Sequence, residues 1–154
     1  MKTIDRLVKT ATLIGAVSSC SPAYNYSYQA FLTIPRMHVS HKLQNNFLFI
    51  YSGMDSEIPM CLIGTEGQDG IRIRDGVIPP VMFTTTDSST FDMNYCHKQR
   101  DYIGIAHYHN GACYPSPVDI ERFVNDERAK LELIVCDVDK EEGRVGMNFT
   151  FKRR

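Results

Sequence analysis

No charge of either sign dominates this 154-residue sequence, in which 17 basic and 18 acidic residues leave a formal net charge of −1. Without a basic stripe there is no electrostatic footprint for nucleic acid, which is therefore not an expected partner. The terminal run Lys152-Arg153-Arg154 reads as a solvated chain end. Paired cysteines are lacking as well. Cys20, Cys61, Cys96, Cys113 and Cys136 show no CxxC spacing, which argues against a zinc knuckle or a thioredoxin-type motif, and the odd count argues against a complete disulfide framework. Cys61 and Cys136 lie in apolar runs and read as buried thiols acting as small hydrophobes. The apolar stretch near the N-terminus holds about ten residues, short of the about 20 that span a bilayer. No repeat, low-complexity tract or second domain is visible, and the length suits one domain with a proper core.

The N-terminus carries a processing signal. MKTIDRLVK has three basic residues against one acid, TATLIGAVSS is apolar and rich in small residues, and Cys20 follows it directly. Val17-Ser18-Ser19-Cys20 resembles a bacterial lipobox. That resemblance implies a lipoprotein signal peptide over residues 1–20 and a mature domain over 21–154, anchored to a membrane of the cell envelope only through lipid on Cys20. The competing reading is an amphipathic N-terminal helix on a cytoplasmic protein.

Along the rest of the chain, Ala30 to Ile34 reads as a strand closed by Pro35. Leu43, Phe47, Leu48, Ile50 and Tyr51 recur at helical steps and predict an amphipathic helix over 40–51. Met60 to Ile63 is a buried strand ended by Gly64, Ile71 to Arg74 alternates as a half-exposed strand, and Asp75-Gly76 is a turn candidate. Val77 to Phe83 stays extended, Thr84 to Thr90 is a polar loop, and Phe91 to Arg100 holds a helical turn or more. Tyr102 to His109 is the clearest strand, with Ile103, Ile105, His107 and His109 on one face. A helix follows from Pro115 to Lys130 with Ile120, Phe123 and Val124 inward, then a strand from Leu131 to Cys136, a turn from Asp137 to Gly143, and a last strand from Arg144 to Phe151. The class is α/β or α+β, a mixed β-sheet flanked by helices.

Chemistry concentrates in HYHNGACYPSPVD, residues 107–119. Two histidines at i and i+2 of a strand point the same way, with backbones about 6.5–7 Å apart, so their imidazoles can converge on one ion. Asp119 can join them if the helix start folds back over the strand end. Ser116-Pro117-Val118-Asp119 also reads as a helix N-terminus, with Ser at the cap, Pro at the first position and an acid at the amide end of the dipole. Catalytic zinc takes three protein donors and leaves a fourth position for water.

These residues resemble the JAMM (MPN+) zinc metalloproteases, whose signature is an upstream glutamate, then HxH, a spacer and SxxD. Gly104 to His109 is similar to the family's apolar strand ending in HxH, and Pro115 to Asp119 matches PSxxD. Glu57-Ile58-Pro59-Met60-Cys61-Leu62-Ile63-Gly64, 50 residues before His107, looks like the family's glutamate and following strand. There are departures. The spacer between His109 and Ser116 holds six residues where seven is usual, Asn110 replaces a common proline, and Pro59 stands where glycine or cysteine is frequent. Gly111 can absorb the shorter loop because it tolerates positive φ.

The resemblance implies a cytidine-deaminase-like MPN/JAB fold over roughly residues 30–150, a Zn²⁺ cofactor on His107, His109 and Asp119, Glu57 as general base, and Ser116 as a donor to the oxyanion. It implies hydrolysis of an amide bond in a protein or peptide substrate, either peptide or isopeptide. Two alternatives stand beside it: a metal-free MPN-like scaffold or binding module, and a structural zinc site closed by Cys113. Failing the latter, Cys113 reads as a loop thiol without a role. His38, His41 and His97 have no partner at ligand spacing.

Overall fold

The computed structural model describes residues 15–17, 36–53, 56–85 and 88–152. Ala30–Ile34 and Cys20, read above as a strand and a lipidation site, lie outside the described residues. Seven strands form one mixed sheet, in the spatial order β1 (Gly15–Val17), β9 (Arg144–Phe151), β8 (Leu131–Asp139), β7 (Tyr102–Tyr108), β3 (Met60–Gly67), β4 (Gly70–Val77) and β2 (Met37–Val39). The β7·β8 and β2·β4 pairs run parallel and the rest antiparallel. Gly15–Val17, inside the stretch read as a signal peptide, pairs antiparallel with Val145–Met147 at one edge. A separate hairpin, β5 (Val81–Thr84) with β6 (Ser89–Phe91), stands beside the sheet.

Helix α1 (His41–Tyr51) starts where Ser40 caps it, the Ser40 side chain accepting from the Leu43 amide at 3.2 Å. Its predicted stripe is the buried one: Leu43, Phe47 and Tyr51 pack against the inward positions of all five central strands, among them Leu62, Ile73, Ala106, Leu133 and Met147. The opposite face of the sheet is covered by α2 (Met93–Lys98) and α3 (Pro117–Asn125), over a second cluster of Cys61, Phe91, Cys96, Ile105, Phe123 and Ala129. Alternation along β8 sends Leu131, Leu133 and Val135 toward α1. Glu132, Ile134 and Cys136 consequently face the α3 side, and all three are buried.

Several expectations are corrected. Asp75-Gly76 is not a turn but part of β4, and β3 runs past Gly64 to Gly67. The polar stretch 84–90 contributes a strand, β6. Helix α3 stops at Asn125 because Asp126 caps it, and Val124 is exposed rather than inward. Strand β8 continues to Asp139. In β7, Ile103 packs in the α1-side core while Ile105 packs beneath α3, a change of face that coincides with the irregular register opposite Leu62 and Ile63. The thiol reading of the cysteines fails as well. Cys61 and Cys136 are buried, but each is oxidised: Cys61 bonds Cys96, tying β3 to α2, and Cys136 bonds Cys113, tying β8 to the loop after β7.

Candidate metal centre

At the C-terminal end of β7, strand geometry delivers the two histidines together. His107 Nε2 and His109 Nε2 are 3.0 Å apart, with His107 fully buried and His109 only partly covered. Ser116 and Asp119 form a complete capping box at the start of α3: the Asp119 amide donates to Ser116 Oγ at 3.2 Å, and the Ser116 amide donates to Asp119 Oδ2 at 2.7 Å. The cap and the cluster turn out to be one structure. Asp119 also places Oδ1 at 3.3 Å from His107 Nε2 and Oδ2 at 3.3 Å from His109 Nε2.

Glu57 completes the group from the residues just before β3. Its amide donates to the Thr85 carbonyl at 2.9 Å and its carbonyl accepts from Thr84 Oγ1 at 3.1 Å, so the hairpin end holds its backbone on both sides. Its buried Oε1 lies 3.3 Å from His107 Nε2 and 3.5 Å from His109 Nε2. One donor atom from each of Glu57, His107, His109 and Asp119 falls within 4.8 Å of the others. A tetrahedron with metal–ligand bonds of about 2.0–2.1 Å has edges of about 3.3 Å. The His107–His109, Glu57–His107 and Glu57–His109 separations of 3.0, 3.3 and 3.5 Å lie near that edge, and Asp119 reaches each imidazole at 3.3 Å through a different oxygen, so the four side chains can hold a metal ion.

The electrostatics agree with a cation site. Burial opposes charge on Asp119, yet both histidines and the Ser116 hydroxyl outweigh it and hold the carboxyl far below the usual range. Burial drives the His107 pKa down. At His109 burial acts in the same sense, but hydrogen bonds to Asp119 and Glu57 prevail and raise it to about 9. Two carboxylates and two imidazoles thus meet in a largely buried group, with the Arg122 guanidinium against Asp119.

Of the residues predicted from sequence, Glu57, His107, His109 and Asp119 are brought together. Ser116 joins through Asp119, with its hydroxyl donating to Asp119 Oδ2 at 2.6 Å. Cys113 is excluded as a ligand because its sulfur is bonded to Cys136. His97 makes a hydrogen bond with Asp126 Oδ1 at 3.0 Å and stands outside the metal-capable group. Sequence reading missed Arg122 and Glu132. The Arg122 guanidinium lies 3.0 Å from Asp119 Oδ1 and 2.9 Å from Glu132 Oε1, directly behind the cluster. The available signal was a lone acid within the otherwise apolar run Leu131 to Cys136. Compared with protein-family models and with curated proteins, the sequence matches none.

Proposed function

We propose that the protein is a zinc-dependent peptidase or isopeptidase of the JAMM type, built on an MPN/JAB fold. One observation carries this reading: Glu57, His107, His109 and Asp119, spread over 63 positions of sequence, meet with donor atoms within 4.8 Å in the order and structural context of the family signature. The donor set fits zinc, which accepts nitrogen and oxygen ligands in a tetrahedron.

His107, His109 and Asp119 would hold the ion, and zinc bound there would lower the pKa of a coordinated water from about 16 to about 7 and polarise a substrate carbonyl. Glu57 takes the water's proton and returns it to the leaving nitrogen, a role suited to a carboxylate held beside the cluster by Thr84 and Thr85. Ser116 fixes Asp119 with its amide and its hydroxyl; the oxyanion role that the resemblance assigns to this residue requires its single O–H to leave Asp119 Oδ2 for the substrate. The substrate is a protein or peptide. The disulfides Cys61–Cys96 and Cys113–Cys136 support an oxidising workplace such as a cell envelope, and lipid on Cys20 rests on the lipobox resemblance alone.

A second reading rests on the position of Glu57. Its Oε1 stands at tetrahedral-edge distance from both imidazoles, so four protein donors can close a structural site with no place for water. Zinc titration of the purified protein, combined with digestion of a peptide library read by mass spectrometry, separates the outcomes. Stoichiometric zinc with new peptide termini supports the peptidase, zinc without cleavage supports the structural site, and a chain that takes up no zinc is the scaffold.

A further inference from the structure

Two side chains behind the cluster, Glu132 and Arg122, are not explained by the four donors. Glu132 is almost fully buried, and its Oε2 has no hydrogen-bond partner. An unpaired buried carboxylate oxygen is costly and calls for a donor. Its Oε1 faces His107 Nδ1 at 4.0 Å, and Arg122 Nη2 lies to the side of both, 2.9 Å from Glu132 Oε1 and 3.4 Å from His107 Nδ1. The register of β8 against β7 enforces this neighbourhood, because Glu132 pairs with Ile105 and so projects on the face that carries His107.

A histidine that binds metal through Nε2 carries its proton on Nδ1, and that N–H needs an acceptor. Arg122 cannot serve, since a guanidinium only donates. Asp119 is turned to the Nε2 side of the ring. Glu132 is the one carboxylate within 4.0 Å of Nδ1 among the described residues. From the placement of Glu132 and Arg122 we infer that Glu132 is the positioning residue that accepts the His107 Nδ1–H and thereby selects the tautomer with Nε2 open to the ion. Arg122 clamps Glu132 and Asp119 to one guanidinium, which sets both carboxylates relative to the ring. A hydrogen bond of about 2.9 Å requires Glu132 to advance by about 1 Å when the tautomer is selected. This inference rests on the zinc reading above, which assigns His107 Nε2 as a ligand.

The test measures zinc affinity by chelator competition and the His107 tautomer by long-range proton–nitrogen NMR, in the wild type, E132Q and the double variant R122M/E132M. The double variant removes both charges together, which avoids leaving one buried and unpaired and keeps the test valid if E132Q fails to fold. We expect the zinc dissociation constant to rise about 10–100-fold in the variants, the range for loss of such an outer partner, and His107 to lose its single Nδ1–H form. A wild type that binds zinc while the variants bind it equally tightly, with an unchanged His107 tautomer, overturns the role of Glu132 and leaves the metal reading intact. A wild type that takes up no zinc overturns both.

Discussion

Glu57→Gln separates the two catalytically opposite uses of one carboxylate. Glu57 Oε1 is 3.3 and 3.5 Å from the two imidazole nitrogens, and tetrahedral zinc with bonds of about 2.0–2.1 Å sets its ligands about 3.3 Å apart. As a general base acting on water, Glu57 contributes little to holding the ion. The Gln variant then keeps zinc within about tenfold of the wild-type affinity and loses about 10²–10⁴ in rate, the usual weight of a positioned base. Each factor of ten is about 1.4 kcal/mol, so the barrier rises by about 3–5 kcal/mol. As a fourth ligand, its loss weakens zinc by more than the about 100-fold that an outer partner commands. Burial makes the variant informative: Gln fills the same volume, and the backbone bonds to Thr84 and Thr85 do not depend on the side chain. The assay pairs chelator competition with cleavage of a peptide library in oxygen-18 water. Full cleavage by Glu57→Gln removes the proposed base, and collapse of zinc binding with no cleavage in the wild type replaces the peptidase by a structural site.

His107→Ala should abolish both stoichiometric zinc uptake and cleavage, read in the same two assays, with the fold retained by circular dichroism. Joint replacement of Cys113 and Cys136 by Ser opens a bridge of sequence separation 23 and should cost about 3 kcal/mol in urea unfolding. Asp126 is held low: burial raises its pKa, but donation from the Tyr102 hydroxyl and the Arg128 and Ala129 amides outweighs it. A carboxyl depressed on folding adds stability above its ordinary value of 3.8, lost as pH falls through the folded pKa, so Asp126→Asn should cost about 2 kcal/mol at pH 7 and flatten the acid limb of stability against pH. Cys20→Ser should leave the precursor uncleaved and unlipidated, and an unchanged intact mass and membrane fractionation would refute the lipoprotein assignment.

The parts of the fold that announce themselves in sequence are those with a strong apolar period. Met60–Ile63, Leu131–Cys136 and the stripe Leu43, Phe47, Tyr51 are buried as their spacing requires. Strand β6 has no such period: the polar Thr84–Thr90 reads as loop, although Thr84 and Thr85 fix the Glu57 backbone. Disulfide partners are hidden for a different reason. Cys61 and Cys96 meet across a β3–α2 contact, and Cys113 and Cys136 across a loop–β8 contact, and scattered spacing carries no trace of either. The four donors were legible because each sits in a short motif. Arg122 and Glu132 belong to none, and only the β7·β8 register reveals that they stand behind His107.

The capped helix and the cation site, which compete as readings of Ser116-Pro117-Val118-Asp119, depend on each other in the folded chain. The cap fixes Asp119 Oδ2 with the Ser116 amide and hydroxyl, which leaves Oδ1 directed at His107 and Arg122. A helix N-terminus favours an anion, so the cap also keeps this carboxylate ionised, the form a metal requires. The six-residue spacer fits the same logic. Gly111 takes φ +78°, the Asn148 amide donates to the Cys113 carbonyl, and the Cys113–Cys136 bond draws the loop onto β8. A shorter loop turned at Gly111 and tied down twice at Cys113 can present Ser116 and Asp119 to the strand end as a longer free one would. On the proposed reading the tether compensates for the shorter spacer, and cutting the tether should loosen the Asp119 side of the cluster before it disturbs the two histidines of β7.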